Sequence, residues 1–337
     1  MAKRVLHLVG SATGDFYAGL SRLYARDCLS ATASPAYEFH VAYVTPDRRW
    51  RFPSDLSDEA IAAATPVSLE NAVQRLTALE PEVMVPQMFD LPGMTHYRAL
   101  FDLLEIPYLG NVPDVMALGA DKAKARGVVA AAGVCVPEGE LLSAGEPPTL
   151  VPPAVVKPVD TDNSFGLTLV RQFEAYPAAL ETAFAYSDRV LVERYIEGRE
   201  VRCGVIVRDG SLVCLPLEEY SVGPEKPIRH YDDKVGESAS GALNLVAKDR
   251  SKAWIVAPDD PITPHVWDAA RRCHTAFGCR HYSLFDFRVD AGGQPWFLEA
   301  GLYCSFARQS VVSVMARAAG ISLEELFGLM IRNATEV

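Results

Sequence analysis

Several things are scarce in this chain, and each scarcity narrows its function. No apolar run approaches the ~20 residues needed to cross a bilayer, so the sequence carries no helical membrane-span signal. Lys3-Arg4 is followed by an apolar stretch far too short for a secretion signal, which reads instead as a first β-strand. A cytoplasmic location and no membrane partner are therefore expected. Positive charge is also in short supply: 32 Lys and Arg face 43 Asp and Glu, for a net charge of −11. That balance argues against a nucleic-acid partner bound by phosphate neutralisation, but not against a local basic pocket for a small anion. The seven cysteines are odd in number and scattered, with no C-x-x-C, which favours reduced thiols over a cysteine metal site. The turn after the first strand, Gly10 to Gly14, is not G-x-G-x-x-G, so no dinucleotide site is read from it. There is no internal repeat.

What is present begins with alternation. Apolar strand-like runs at 4–9, 39–44 and 83–86 alternate with helical spacing at 15–29, 54–64, 68–79 and 95–104, with a short strand and turn at 107–110. Alternating strands and helices on short links imply a parallel α/β layer. With 337 residues, two or three domains are expected. Beyond it, Asp114 is placed as the cap of a short helix, and 121–132 as an Ala-rich helix bearing Lys122. Further helices are read at 174–186, 264–278, 309–319 and 323–331, the last with Ser322 and Glu325 as a capping box. Strands are read at 189–195, 201–207 and 212–217, with a hairpin of 283–289 and 294–299. Residues 218–252 are polar, with little periodicity, and read as one long functional loop.

The central stretch is 154–170. Two apolar runs, 154–156 and 167–170, flank a turn of small polar residues that ends Asn163-Ser-Phe-Gly166, and Lys157 closes the first run. Backbone N–H groups and small hydroxyls beside a fixed cation make a phosphate-covering loop. An ordinary hairpin with a surface lysine has the same pattern. Asp286 and Glu299 lie in apolar strands on either side of one hairpin, where buried carboxylates need a cation. Mg²⁺ meets that need, and so does pairing with Arg288 or Arg308. Lys122, Lys157 and Lys234 come from three separate segments and would form a charge clamp if they converged on one triphosphate. Glu193 and Glu200 could hold an adenine amino group and a ribose.

Taken in order, these segments resemble the ATP-grasp superfamily, most closely its D-alanine–D-alanine ligase branch. The resemblance is carried by residues 93–110, 120–126 and 132–137, by Val156-Lys-Pro158 through Ser164-Phe-Gly166, by Val192 through Glu200, and by Tyr231-Asp-Asp-Lys234, Phe285-Asp-Phe287, Phe297-Leu-Glu299 and 318–322. It implies a parallel N-terminal α/β domain at 1–113, a small lid subdomain at 114–190, and a C-terminal subdomain at 191–337 with a mobile loop at 218–252, the last two being α+β units that clamp ATP. It further implies that Lys122 and Lys157 bind phosphates and that Asn163, Ser164, Phe165 and Gly166 form the flap. Glu193 would meet adenine with the backbone of Arg194, Tyr195 and Ile196, and Glu200 would meet the ribose. Lys234 would reach the phosphates, and Asp286 and Glu299 would hold one or two Mg²⁺, with Mn²⁺ as a possible substitute. The implied reaction is an ADP-forming joining of a small carboxylate to an amine through an acyl phosphate, with a homodimer as the expected assembly.

The sequence also departs from the family pattern. The metal motif's usual Glu-x-Asn is Glu299-Ala-Gly301, which lacks one side-chain ligand. The arginine expected two residues before the metal Asp is Leu284, leaving Arg288 or Arg308 to replace it from another direction. The N-terminal Gly-Gly-x-Ser-x-Glu signature is absent, and Asp15 is the nearest acidic residue. Ser310 falls where the family's serine meets the second substrate's carboxylate. These differences point to a relative that makes another amide or dipeptide-like bond in specialised metabolism. The alternatives are D-alanine–D-alanine ligation proper, a cyclase, a kinase-like phosphoryl transferase and a non-catalytic nucleotide binder.

Overall fold

The computed structural model describes residues 2–161, 164–229, 235–237, 243–245 and 252–336. The chain opens with β1 (Lys3–Gly10), α1 (Asp15–Ala31), β2 (Tyr37–Val44) and β3 (Trp50–Arg51). Next come α2 (Asp58–Ala63), α3 (Leu69–Leu79), β4 (Val83–Pro86), α4 (Leu91–Met94) and α5 (His96–Leu103). The sheet order is β3-β2-β1-β4, with β1 parallel to both neighbours and β3 antiparallel at the edge. This is the parallel layer expected from the alternation. Ser68 caps α3 as expected, accepting from the Asn71 N–H. The helix expected over 54–64 is shorter, because the Ser57 hydroxyl caps it and starts it at Asp58.

The next helices are α6 (Pro113–Ala120) and α7 (Lys122–Ala131). Val112, rather than Asp114, is the N-cap of α6, and Pro113 sets the first turn. The second sheet contains β5 (Gly139–Ser143), β6 (Ala154–Pro158), β7 (Thr168–Val170) and β8 (Arg189–Arg194), in the order β5-β8-β6-β7. Every pair in it is antiparallel. The helix α8 (Tyr176–Phe184) packs Tyr176 and Ala183 against Val156, Val170 and Val192. The boundary expected at residue 190 falls inside β8, all six residues of which belong to this sheet.

The third sheet is built on β9 (Arg199–Arg208), with β10 (Ser211–Cys214) and β11 (Glu218–Tyr220) beside it. After β12 (Val235–Glu237) and β13 (Leu243–Leu245), which pair with each other, come β14 (Ala253–Ile255), α9 (Thr263–Phe277), β15 (Tyr282–Val289) and β16 (Pro295–Ala300). The main order is β14-β11-β9-β15-β16. The expected loop at 218–252 therefore opens with an internal strand, whose Glu218, Glu219 and Tyr220 are buried. Three residues are too few to show alternation.

Strand alternation divides β9 between two environments. Val201, Cys203 and Val205 pack with Phe285, Phe287 and α9 in one core. On the opposite face, Ile206 and Leu284 join Met315 of α10 (Val311–Ala318) and Phe327 of α11 (Leu323–Thr335), which tie this sheet to Val5 and Val83 of the first. Ser322 and Glu325 form the expected capping box at α11. All seven cysteines are free thiols. Among the described residues, no helix is long and apolar enough to cross a membrane.

Candidate active site

A cleft lies between the second and third sheets. Its walls include Lys122, Lys157, Ser164, Phe165, Glu193, Arg194, Tyr195, Ile196, Glu200, Asp286 and Glu299, all singled out in the sequence. Strand ends deliver most of them. Lys157 lies next to the last residue of β6, Glu193 sits on the neighbouring strand β8 opposite Val155, and Asp286 faces Glu299 in the β15–β16 register. Lys122 begins α7, whose start is fixed by the Asp121 carboxylate accepting from the Ala123 and Lys124 N–H groups. Burial works to raise the Asp121 carboxyl, but the bonds from Arg189 and the Lys124 N–H outweigh it and hold it below the usual range.

The hairpin at 154–170 forms as expected, with β6 pairing to β7. Gly166 takes a left-handed φ of +70°, and a Cβ there would lie 2.8 Å from Pro158 Cγ and 2.9 Å from Tyr186 Cδ2. Only glycine allows the turn to close over Pro158. Asn163 lies outside the described residues.

Charge in the cleft is tightly paired. Glu193, 3% exposed, takes Lys157 Nζ at 2.5 Å and Arg126 Nε at 3.1 Å. Glu200 pairs with Arg288 at 2.9 Å and with Arg229. Asp286, 2% exposed, accepts the Arg202 Nε–H on Oδ2 at 2.8 Å, has its Oδ1 2.7 Å from the same nitrogen, and is 3.3 Å from Arg229. Arg229 also stacks 3.7 Å over the Tyr220 ring. Glu299 lies 4.0 Å from both Lys122 and Arg202. Burial pushes the Asp286 carboxyl above its usual range, Arg202 pulls against that, and Glu299 adds to the rise.

Two oxygen-donor carboxylates side by side fit one hard divalent cation, with substrate oxygens and water completing the shell. Position 301 offers no further donor. Among the described residues there is no group of three or more Asp, Glu, His or Cys able to hold a metal by themselves.

A second cavity, of about 500 Å³, adjoins the cleft and shares Lys122, Thr161 and Glu299 with it. Thr13, Tyr17, Phe89 and Asp90 of the N-terminal layer line it together with Tyr303 from the segment after β16. Asp90, 3% exposed, organises this end. Its Oδ2 accepts from the Ser11 hydroxyl at 2.7 Å, the Ala12 N–H at 2.8 Å and the Thr13 hydroxyl at 3.1 Å. Lys122 and Glu299 thus place a cation and a carboxylate where the two chambers meet.

The remaining sequence candidates lie elsewhere. Arg308 is half exposed and tied to Asp27 and Ser30. Ser310 is the N-cap residue of α10, 3.5 Å from Cys304 Sγ. Asp15 is exposed at the start of α1. None of these three lines either cavity. Lys234 lies outside the described residues.

Residues 142–332 match the sequence profile described as D-ala D-ala ligase C-terminus. A D-alanine–D-alanine ligase of Sinorhizobium medicae is 33% identical over 248 residues, 71% of this chain and 75% of that protein. The chain belongs to the D-alanine–D-alanine ligase family. D-alanine–D-alanine ligase B of Brucella suis is 32% identical over 275 residues, covering 79% of this chain and 84% of its own length. Among solved structures, the VanG D-Ala:D-Ser ligase of Enterococcus faecalis superposes with a TM-score of 0.79 at 21% identity, covering 99% of this chain and 100% of its own. A D-alanine–D-alanine ligase of Bacillus anthracis complexed with ATP gives 0.73 at 18% identity, over 99% of this chain and 98% of that one. This family member is thus an ATP-grasp enzyme, an ATP-using, ADP-forming carboxylate–amine ligase.

Reading the sequence missed Arg126, Arg202, Arg229 and Asp90. The first three partner the carboxylates it found. A signal for Arg202 was available: it lies two residues from Glu200 in an alternating strand, hence on the same face.

Proposed function

We propose that this ligase phosphorylates the carboxylate of one small amino acid with ATP and joins it to the amine of a second, with D-alanine as the first substrate to test for both roles. The names of the relatives favour D-alanyl-D-alanine formation over the specialised-metabolite amide suggested by the sequence departures. The carrying observation is the junction at Lys122, Thr161 and Glu299, where the cleft's charged groups meet a separate chamber of about 500 Å³.

In this reading Lys122 and Lys157 hold phosphate oxygens, and Ser164 to Gly166, with Asn163, cover them. Glu193 and the backbone of Arg194 to Ile196 take the adenine edge, and Glu200 takes the ribose. Lys234 reaches the phosphates from its own segment. Asp286 and Glu299 would hold Mg²⁺, which would supply positive charge to the phosphate oxygens. A carboxylate oxygen of the donor substrate attacks the γ-phosphorus, and the bond to the β-phosphate oxygen breaks to release ADP. The acceptor amine then attacks the acyl carbon, loses a proton, and phosphate leaves. Lys122 stays at the junction through both steps and stabilises the transferred phosphoryl charge. Arg308, Ser310 and Asp15 are given no part. A homodimer is the proposed assembly.

The test is ADP release with D-alanine, with and without hydroxylamine. D-alanine-dependent ADP, a dipeptide product and a trapped hydroxamate support the proposal. ADP without hydroxamate or dipeptide refutes ligation. A second reading, in which another amino acid or amine takes one role, is favoured by the aromatic wall of Tyr17, Phe89 and Tyr303, which is large for a methyl side chain. ADP release that ignores D-alanine but responds to another member of an amino-acid pool selects it.

A further inference from the structure

The active face of the third sheet is laid out in rows across β9, β15 and β16. One row is Arg202, Asp286 and Glu299. The next is Gly204 and Leu284, with Gly301 hydrogen-bonded to Leu284 through its N–H at 2.8 Å. This second row is closed to the cleft. Leu284 is 6% exposed in a core with Met315, and a Cβ on Gly204 would already touch Leu215 and Met315 at 3.1 Å. Chemistry therefore stops at the Arg202 row, which contains two carboxylates and one permanently charged guanidinium. Arg202 Nε sits 2.7 and 2.8 Å from the two Asp286 oxygens, and its Nη2 lies 4.0 Å from Glu299. It stands on the middle strand of a sheet, hydrogen-bonded on both sides, so it cannot withdraw as a loop arginine can.

Gly301 is not a backbone necessity. A Cβ there would have its nearest neighbours on Leu284, at 3.6 Å or more, which is ordinary contact.

We propose that Arg202 is a fixed cation that takes the place of a second divalent ion, limiting this site to a single metal with each bound nucleotide. The inference rests on the ligase reading. Arg202 acts through Asp286 and is a positioning residue: it neutralises one carboxylate of the pair and leaves too little negative charge and too few donors for two ions. Arg229, which also reaches Asp286, comes from the segment after β11 and bridges to Glu200, so it has to yield when a ribose arrives there.

The test counts Mn²⁺ by electron paramagnetic resonance on the full chain saturated with a non-hydrolysable ATP analogue. Wild type and G301N are expected to bind one Mn²⁺ per nucleotide, and R202K likewise. The double variant R202L/G301N is expected to bind two. Two ions in wild type overturn the proposal. Two in G301N alone also overturn it, since the missing donor rather than the arginine would then set the limit. One ion in a double variant that melts cooperatively overturns it as well. If the double variant does not fold, R202K decides together with wild type and G301N: one ion in all three upholds the proposal, and two in any of them overturns it. A chain that binds no nucleotide refutes the ligase reading, and the inference falls with it.

Discussion

Acidification should destabilise this protein well before its carboxylates titrate, through three buried histidines. His7 is 0% exposed between Phe39 and Phe327, with neither ring nitrogen bonded among the described residues. Burial drops its pKa to about 3. His274 bonds Ser283 at 2.8 Å, and burial takes it to about 4. His281 accepts the Gly110 N–H on Nδ1 at 3.0 Å, and burial, helped by Arg280, takes it to about 4. In the unfolded chain each titrates near about 6.5. Between the two values the unfolded state binds more protons, so stability is full above the unfolded pKa and declines as pH falls toward the folded one. At about pH 5.5 each histidine costs ~1.4 kcal/mol, so the three together cost about 4 kcal/mol relative to alkaline buffer. Asp286, raised in the folded state, works in the opposite direction and trims the total. Urea unfolding followed at a series of pH values measures this. His7→Leu should remove about a third of the slope, since it deletes one titrating group and leaves no unpaired ring nitrogens. A midpoint that is flat from about pH 7.5 to about pH 5.5, or a His7→Leu slope equal to wild type, refutes the reasoning.

Three further outcomes follow from the site. Lys157→Met leaves buried Glu193 with Arg126 alone; breaking such a pair costs about 3–5 kcal/mol, visible as a lower melting temperature, and calorimetric titration should show loss of ATP binding. Asp90→Ala removes the acceptor of the Ala12 and Gly93 N–H groups and leaves the Ser11 and Thr13 hydroxyls only each other; a cost of about 2–3 kcal/mol is expected, with the amino-acid KM rising more than the ATP KM because Asp90 lines only the second chamber. Arg308→Ala removes an exposed pair with Asp27; stability should change by about 1 kcal/mol or less, with turnover intact in a steady-state assay.

Legibility in the sequence followed the kind of force involved. Hydrophobic periodicity exposed the parallel layer, the β6–β7 hairpin and the β15–β16 pair, because strand and helix periods differ and burial enforces them. Caps such as Ser68 and the Ser322–Glu325 box were readable because they are local. Charge pairing was not. Arg202 and Asp286 are separated by 84 positions, and only the β9–β15 register makes them neighbours. The same distance hid Asp90, whose ligands Ser11 to Thr13 lie almost the length of a sheet earlier in the chain. Arg308 illustrates the converse error. It was expected to replace the arginine missing at Leu284, yet the turn before α10 carries it to Asp27 on α1. Strand β11 was missed because three residues, two of them glutamates, carry no periodic signature; their burial depends on Arg199 pairing with Glu219.

Residues 195–198 run directly from the end of β8 in the second sheet to the start of β9 in the third. Gly198 there has φ +144°, and a Cβ would sit 2.0 Å from the Val289 carbonyl oxygen. A change in the angle between the sheets would have to be absorbed there and in residues 132–138, which enter the second sheet from α7; in the first of these links Gly198 is braced against β15. The same backbone is the stretch assigned to the adenine edge. A base seated there would lie across one of the joints between the sheets, so that filling the cleft would bear directly on its opening angle.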